Sequence, residues 1–261
     1  MSRMAILAAA LAAKQGRDAP GITTPACRDR ATQRKDTTRV RIVPRGVEEM
    51  FRQRFRLCYR VEGDARFLSH HDLMRLWHRA LRRSGLPLRM SEGFHVRPRV
   101  SFAMARGVGI ASESEWLEFE LSDWVNPDTV HREVAPQLPA GIAIRELHVV
   151  APSDRAVVRR IVYRVRPERL PDDVDRRIAE FLDRPAAVVE RGGQARRRRI
   201  DIRPLVASLE RRGDELWIVA LCRSDGSLRP EEVLAQLGFE SEAVARSLVT
   251  RVESRIGPEQ P

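Results

Sequence analysis

The order of apolar periodicities along residues 54–150 is the feature that most limits the folds open to this chain. RFRLCYRV alternates apolar and polar residues from Arg54 to Val61, a period of two that predicts a half-buried strand. A capping box of Ser69 and Asp72 then opens a helix. Its apolar residues recur every three or four positions, at Leu73, Leu76, Trp77, Ala80 and Leu81. Two strands (RPRVSFAM, SEWLEFEL), a short helix (NPDTVHREVAPQL) and a fourth strand (AIRELHVV) complete β-α-β-β-α-β, the ferredoxin-like order.

A similar order follows less clearly in the rest of the chain. IVYRVRP predicts a strand and PDDVDRRIAEFLDR a helix. Strand pieces around Ile200–Ile202 and in DELWIVALCR follow, then RPEEVLAQLGF predicts a helix and SLVTRVESRI a closing strand. We therefore predict an α+β protein with two tandem ferredoxin-like (βαββαβ) halves, residues 50–154 and 155–261. The 190–215 region fits the second half poorly.

The N-terminal segment, residues 1–49, carries turn-forming residues and arginines without apolar periodicity, so we predict a disordered extension. MSRMAILAAALAAKQG superficially resembles a signal peptide. Its apolar run is only about nine residues long and no clean cleavage site follows, which disfavours a secretory signal. Met50 stands just before the first strand and is an alternative start.

The net charge and the cysteine content limit the classes of function to consider. Lys and Arg number 47 against 36 Asp and Glu, a net charge of +11, so nucleic acid is the first partner to consider. The three cysteines, Cys27, Cys58 and Cys222, form no CxxC motif, which disfavours disulfides and cysteine-bound metal. A reducing compartment, the cytoplasm, is therefore expected. No apolar run approaches the length of a membrane span.

A polar stripe on the first helix is the leading candidate for a binding surface. His71, Arg75, His78 and Arg82 follow one another at i, i+4, i+7 and i+11 opposite the leucines. Arginine forks suit phosphate oxygens, so this face is expected to bind an RNA backbone. A solvated helix face is the alternative. If the histidines belong to the stripe, RNA affinity should rise as pH falls from about 7.5 to 5.5.

The loop SEGFHVRPRVSF extends this candidate surface. Gly93 permits close backbone approach, and Phe94 with His95 is expected to stack on a base; the alternative is a turn with a core phenylalanine. Arg97 and Arg99 are predicted on the polar side of the strand that follows. The predicted RNA-binding residues are His71, Arg75, His78, Arg79, Arg82, Arg83, Gly93, Phe94, His95, Arg97 and Arg99.

Catalysis and metal binding are the competing uses of these residues. The histidine spacings differ from the i, i+4 pair of HExxH, so neither a metal nor a cofactor is predicted. A metal-independent RNA endonuclease remains open, with His70, His71 or His95 as general acid or base and Arg75 steadying the phosphate. Glu118 and Glu120 are expected to pair with Arg56 and Arg60 rather than to act in catalysis. The run Arg196–Arg199 is a weak further signal for a polyanion.

Two segments of the sequence resemble a known family. FLSHHDLMRLWHRALRRSGLPLRMSEGFHVRPRVSF and GVGIASESEWLEFEL are similar to the radical-SAM-associated bacterial domain of unknown function, and the likeness runs from about Arg54 to Ile256. The resemblance implies an accessory role in RNA metabolism beside a cobalamin-binding radical SAM protein or a ribonuclease E/G-type protein. It supplies no catalytic residues. Because CxxxCxxC is absent, the chain is not itself expected to be a radical SAM enzyme.

Three functions follow as expectations. The first is an accessory RNA-binding module, without catalysis of its own, that presents tRNA or rRNA to a partner enzyme. The second is the metal-independent RNA endonuclease. The third is a protein–protein scaffold for a radical SAM enzyme, with the basic faces incidental.

Overall fold

The computed structural model describes residues 53–92, 94–192, 197–223 and 226–257. The extension predicted over residues 1–49 lies outside these ranges, as do Gly93 and Arg196 of the predicted binding loops. None of the described helices is long and apolar enough to cross a membrane.

The first part of the described chain follows the predicted order of elements. Its elements are β1 (Gln53–Val61), α1 (His70–Arg83), β2 (Val100–Phe102), β3 (Ala111–Leu121), α2 (Pro127–Val134) and β4 (Ile142–Val150). The strands lie side by side as β4-β1-β3-β2, and each neighbouring pair is antiparallel. The helices bury Leu73, Trp77 and Val130 in one cluster with Phe55 and Leu117 of the strands. This packing follows from the apolar stripe of α1 and the alternation of β1 and β3.

The second part has the same outline with a hairpin added. Its elements are β5 (Val157–Arg166), α3 (Val174–Asp183), β6 (Val188–Arg191), β7 (Arg198–Asp201), β8 (Val206–Arg212), β9 (Glu215–Leu221), α4 (Pro230–Gln236), α5 (Ser241–Arg246) and β10 (Leu248–Gly257). Four strands align as β10-β5-β9-β8, antiparallel throughout, while β6 and β7, within the described part of the chain, pair only with each other. This separate hairpin between α3 and β8 explains why residues 190–215 fitted the predicted order poorly.

The two sets of strands join into one mixed sheet. β10 lies parallel to β3, with Thr250 opposite Ala111 and Arg251 opposite Ser112. Because the other described strand pairs in the sheet are antiparallel, this parallel contact makes the sheet mixed. The protein is thus a mixed α+β structure with a large mixed sheet.

Two details of burial differ from expectation. β1 was predicted to be half buried, but Arg54 and Arg56 on its polar face are each only 9% exposed. The segment that leads from β4 to β5 covers them, since Arg54 donates to the carbonyl oxygen of Pro152 at 2.8 Å. Leu76 packs on the edge of the core and is only partly buried, whereas Leu73 is 2% exposed.

This difference gives a matched stability prediction. Leu73→Ala should lower the free energy of unfolding by about 2–5 kcal/mol, because it empties a closed core position. Leu76→Ala should cost less, since its side chain already contacts water and leaves a smaller cavity. Urea unfolding of both variants checks the order. An equal or larger loss for Leu76→Ala would contradict the packing described here.

Candidate nucleic-acid interface

A groove lies between α1 and the hairpin that precedes β2. The hairpin is closed by backbone hydrogen bonds, from the amide of Ser91 to the carbonyl of Arg97 at 2.7 Å and from the amide of Arg99 to the carbonyl of Arg89 at 2.9 Å. The Arg82 guanidinium donates to the carbonyl oxygen of Val96 at 2.6 Å. This bond fastens the hairpin tip to the helix and defines one wall of the groove.

The groove has a volume of about 550 Å³ and a strongly basic lining. Its walls are formed by His71, Met74, Arg75, His78, Arg79, Arg82, Phe94, His95, Val96 and Arg97. Among the described residues, no carboxylate lines it. Asp72 lies just outside the lining, with its carboxylate 3.7 Å from the guanidinium of Arg75. With both side chains half or more exposed, water screens that pair and leaves the positive field of the groove largely intact.

The Phe94 ring projects into solvent at the rim of the groove and is fully exposed. A large aromatic ring without burial contributes nothing to the core. This position excludes the alternative of a turn with a core phenylalanine. An exposed ring beside arginines is suited to stacking on an unpaired base.

The structure brings together eight of the predicted RNA-binding residues and places Arg83 and Arg99 outside the groove. His71, Arg75, His78, Arg79, Arg82, Phe94, His95 and Arg97 line the groove. Arg83 does not line it, because its guanidinium donates to the carbonyl oxygen of Gln137 at 3.0 Å. Arg99 lines a different depression beside Arg54, with its guanidinium 3.7 Å from Glu92. Gly93 lies outside the described residues.

Burial and charge set the protonation of His78. Partial burial, followed by the neighbouring charges of Arg97 and Arg82, lowers the pKa of the His78 imidazole below its usual value. His78 therefore stays neutral at neutral pH, and its own charge reaches the groove only at lower pH than the sequence suggested. In its neutral form it offers one donor and one acceptor to a ligand.

The fold places two of the three alternative catalytic histidines in the groove and the third outside it. His71 and His95 line the groove, but His70 does not. The His70 ring packs edge-on against Phe102 with centroids 5.5 Å apart, and its burial lowers the pKa of the imidazole. Burial also raises the pKa of the Cys58 thiol to about 11, so this cysteine is not a thiolate nucleophile near neutral pH. Within the described residues, no group of three or more His, Cys, Asp or Glu side chains is placed to hold a metal ion.

The glutamates of β3 serve the structure. Glu118 accepts from Arg56 at 2.7 Å, as expected, and also from Arg54 at 2.5 Å, and both contacts are buried. The expected pairing of Glu120 with Arg60 is wrong. Glu120 lies 3.4 Å from Arg89, while Arg60 lies 3.2 Å from Glu62 on its own chain segment. In the antiparallel register of β1 and β3, Glu118 lies opposite Arg56 and Glu120 lies opposite Arg54, so Arg60 is out of reach of Glu120.

Sequence reasoning missed a second buried cluster around Glu115. Its carboxylate accepts from Arg251 at 3.0 Å, and Arg106 lies buried nearby and interacts electrostatically with it. Arg106 sits in a loop that carries no periodic pattern, and Arg251 is far away in sequence. No local signal connects the three residues.

The fold and groove thus define a mixed α+β protein with an arginine-rich surface cleft. The family model described as an uncharacterized protein conserved in bacteria (DUF2344) matches residues 54–230, more than half of the chain. The chain belongs to this family. No curated protein matches it. The family description names no radical SAM enzyme, so that part of the resemblance stays a prediction.

The lowered pKa of His78 gives a prediction in solution. The folded state favours the neutral His78 ring. The contribution of this ring to the free energy of unfolding is therefore complete above about pH 6.5, the usual pKa of histidine, and declines as the pH falls below that value. An NMR titration should place the His78 midpoint below 6.5. Arg97→Ala should raise that midpoint by removing a repelling charge. The matched variant Arg99→Ala should not, and an unchanged midpoint in Arg97→Ala would contradict the geometry.

Proposed function

We propose that this protein is an accessory RNA-binding module that holds RNA for a partner enzyme and has no catalytic activity of its own. The observation that carries the proposal is the groove, in which four arginines and three histidines gather without a lining carboxylate among the described residues. Surface arginines elsewhere are often paired, as Arg176 is with both Asp173 and Glu180. A concentration of exposed positive charge on walls without a lining carboxylate favours the binding of a polyanion.

The chemistry of the groove favours a single-stranded stretch of RNA. Arginine forks bind phosphate oxygens through paired N–H groups, and Arg75 and Arg79 stand one helical turn apart on the exposed face. Phe94 at the rim offers a face on which one unpaired base can stack. A duplex would leave its bases inaccessible to that ring. Loops of tRNA or rRNA are therefore the proposed ligands.

The proposal also covers the partner enzyme, the division of the fold into two halves and the cellular location. By resemblance, the partner is a cobalamin-binding radical SAM protein or a ribonuclease E/G-type protein. The strand orders β4-β1-β3-β2 and β10-β5-β9-β8 support two ferredoxin-like halves. A cytoplasmic location is supported by the described cysteines, Cys58 and Cys222, which are both free thiols.

Salt dependence provides the direct test. Arg75→Ala/Arg79→Ala should weaken binding of a fluorescein-labelled single-stranded RNA. It should also lower the slope of log affinity against log salt by roughly 1.4, the value for two lost phosphate contacts. Fluorescence anisotropy at several salt concentrations measures both. Neither residue is buried, so circular dichroism should report an unchanged fold.

The control removes the same charge elsewhere. Arg83→Ala/Arg132→Ala takes two exposed arginines from outside the groove and should change the slope much less. Equal effects of the two double variants would show that net charge, not the groove, governs binding. Absence of RNA binding at low salt would refute the proposal. Capture of a radical SAM partner that resists RNase would then favour the scaffold.

A metal-independent RNA endonuclease is the second candidate, because His71 and His95 line the same groove as the arginines. Two imidazoles beside a bound phosphate provide the acid and base that cleavage needs. Incubation with total RNA in EDTA separates the candidates. We expect intact RNA; cleavage that disappears in His71→Ala would establish the endonuclease instead.

A further inference from the structure

A second cleft, separate from the basic groove, lies beside the junction of β3 and β10. Its volume is about 820 Å³, within the usual range for sites that bind small molecules. Arg106, Tyr163 and Arg251 contribute to its lining, together with apolar side chains, of which the larger are Met104, Val108, Ile110, Val189 and Leu228. The lining also carries Arg191, Arg229, Glu190, Glu231 and Glu232. Glu232 pairs with Arg191 at 2.6 Å, and Glu190 pairs with Arg197 at 3.2 Å. None of the residues predicted to bind RNA lines it.

The charged groups behind this cleft do not balance. Arg106, Glu115 and Arg251 are each less than 5% exposed, so two buried guanidiniums share one buried carboxylate. Tyr163 does not offset the excess, because burial raises the pKa of its phenol and keeps it neutral. An unpaired buried charge is costly, and an anion in the cleft would remove that cost.

Arg106 holds the chain through both of its terminal nitrogens, whereas its Nε is buried without a hydrogen-bond partner among the described residues. One of its terminal nitrogens donates to the carbonyl oxygens of Arg66 at 2.8 Å, Gly107 at 3.0 Å and Ile110. Its other terminal nitrogen donates to Leu68 at 3.2 Å. Both terminal nitrogens are therefore occupied, and this guanidinium acts as a fixed positive charge beside the cleft.

Arg251 is different, because one edge of its guanidinium lacks close partners. Nη1 donates to the Glu115 carboxylate oxygens at 3.0 and 3.2 Å. Nη2 has only long contacts, 3.4 Å to the Ala105 carbonyl and 3.5 Å to the Tyr163 hydroxyl. Nε is buried without a hydrogen-bond partner among the described residues. The Nε–Nη2 edge is the pair of parallel donors that binds a carboxylate with two hydrogen bonds.

We propose that this cleft binds a small organic acid, with the carboxylate on the Nε–Nη2 edge of Arg251 and the apolar body against Val189 and Leu228. One carboxylate matches the single excess positive charge of the buried cluster. The apolar walls favour a hydrocarbon body over a polar one. The cleft shares no lining residue with the proposed RNA groove and its test uses no RNA, so either proposal can fail without the other.

The test uses the full-length ¹⁵N-labelled protein and four probes followed by amide chemical shifts. Hexanoate, hexanol and hexylamine share one hydrocarbon chain and differ in the head group, and inorganic phosphate tests for a simple anion site. We expect saturable shifts with hexanoate, and about tenfold or greater weakening for hexanol, the cost of losing a charge-assisted pair of hydrogen bonds. Equal binding of hexanol, tighter binding of phosphate, or no saturable binding of hexanoate would overturn the proposal.

Variants localise the site. Arg251→Lys keeps the charge but loses the fork, and should weaken hexanoate binding by about tenfold. Val189→Trp should block the cleft, whereas Val188→Trp, at the exposed neighbouring position, should leave binding intact. Neither tryptophan substitution removes a buried charge, so these two variants still test where hexanoate binds if Arg251→Lys fails to fold. Full hexanoate binding in Val189→Trp would refute the assignment.

Discussion

The buried ion pair between Glu115 and Arg251 is the interaction on which the arrangement of the sheet depends. The parallel contact of β3 and β10 registers only two residue pairs, and Arg251 belongs to one of them. The side chains of Glu115 and Arg251 are 4% and 3% exposed, at a distance of 3.0 Å. A buried pair adds little net stability over apolar packing, because desolvation offsets its attraction. We infer that its contribution is alignment, since breaking it would leave one buried charge without compensation.

The same buried region also supports the groove. Arg106 donates to the carbonyl oxygens of Arg66 and Leu68, which lead directly into α1 at His70. The amide of Gly109 donates to the Arg66 carbonyl at 2.8 Å, so the loop before β3 holds the same turn. The start of α1 is thereby fixed to the sheet. Because the groove is one face of α1, its shape depends on a guanidinium that no nucleic acid would touch.

Local patterns predicted the elements well because each pattern needs only nearby residues. Ser69 accepts from the amide of Asp72 at 3.2 Å, so the cap that begins α1 was correct. The inward residues of β3, Leu117, Phe119 and Leu121, are all buried as the alternation requires. The burial of Arg54 was not predictable, since the covering segment lies 98 residues further along the chain. Periodicity shows which residues are apolar, whereas the covering of a polar strand face by a distant segment depends on tertiary contacts.

Local spacing also predicted most residues of the candidate groove, but it could not predict the direction in which each side chain points. Helical spacing placed His71, Arg75 and Arg82 together, and the structure agrees. Spacing alone also admitted Arg83, which turns towards Gln137 instead. The meeting of the helix with Phe94 required the hairpin to fold back, and that contact depends on a bond to the Val96 carbonyl. A backbone acceptor has no signature in the sequence.

Arginine content by itself therefore says little about where a polyanion would bind. Arg54, Arg56, Arg106 and Arg251 are buried and organise the sheet, and Arg191 makes a bidentate pair with Glu232 at 2.6 Å. These residues add to the net charge of +11 but present little of that charge to solvent. The groove differs because its arginines are exposed and its described lining contains no acid. In this protein, exposure on a wall that carries no carboxylate among the described residues distinguishes a candidate binding cation from a structural one better than the number of cations does.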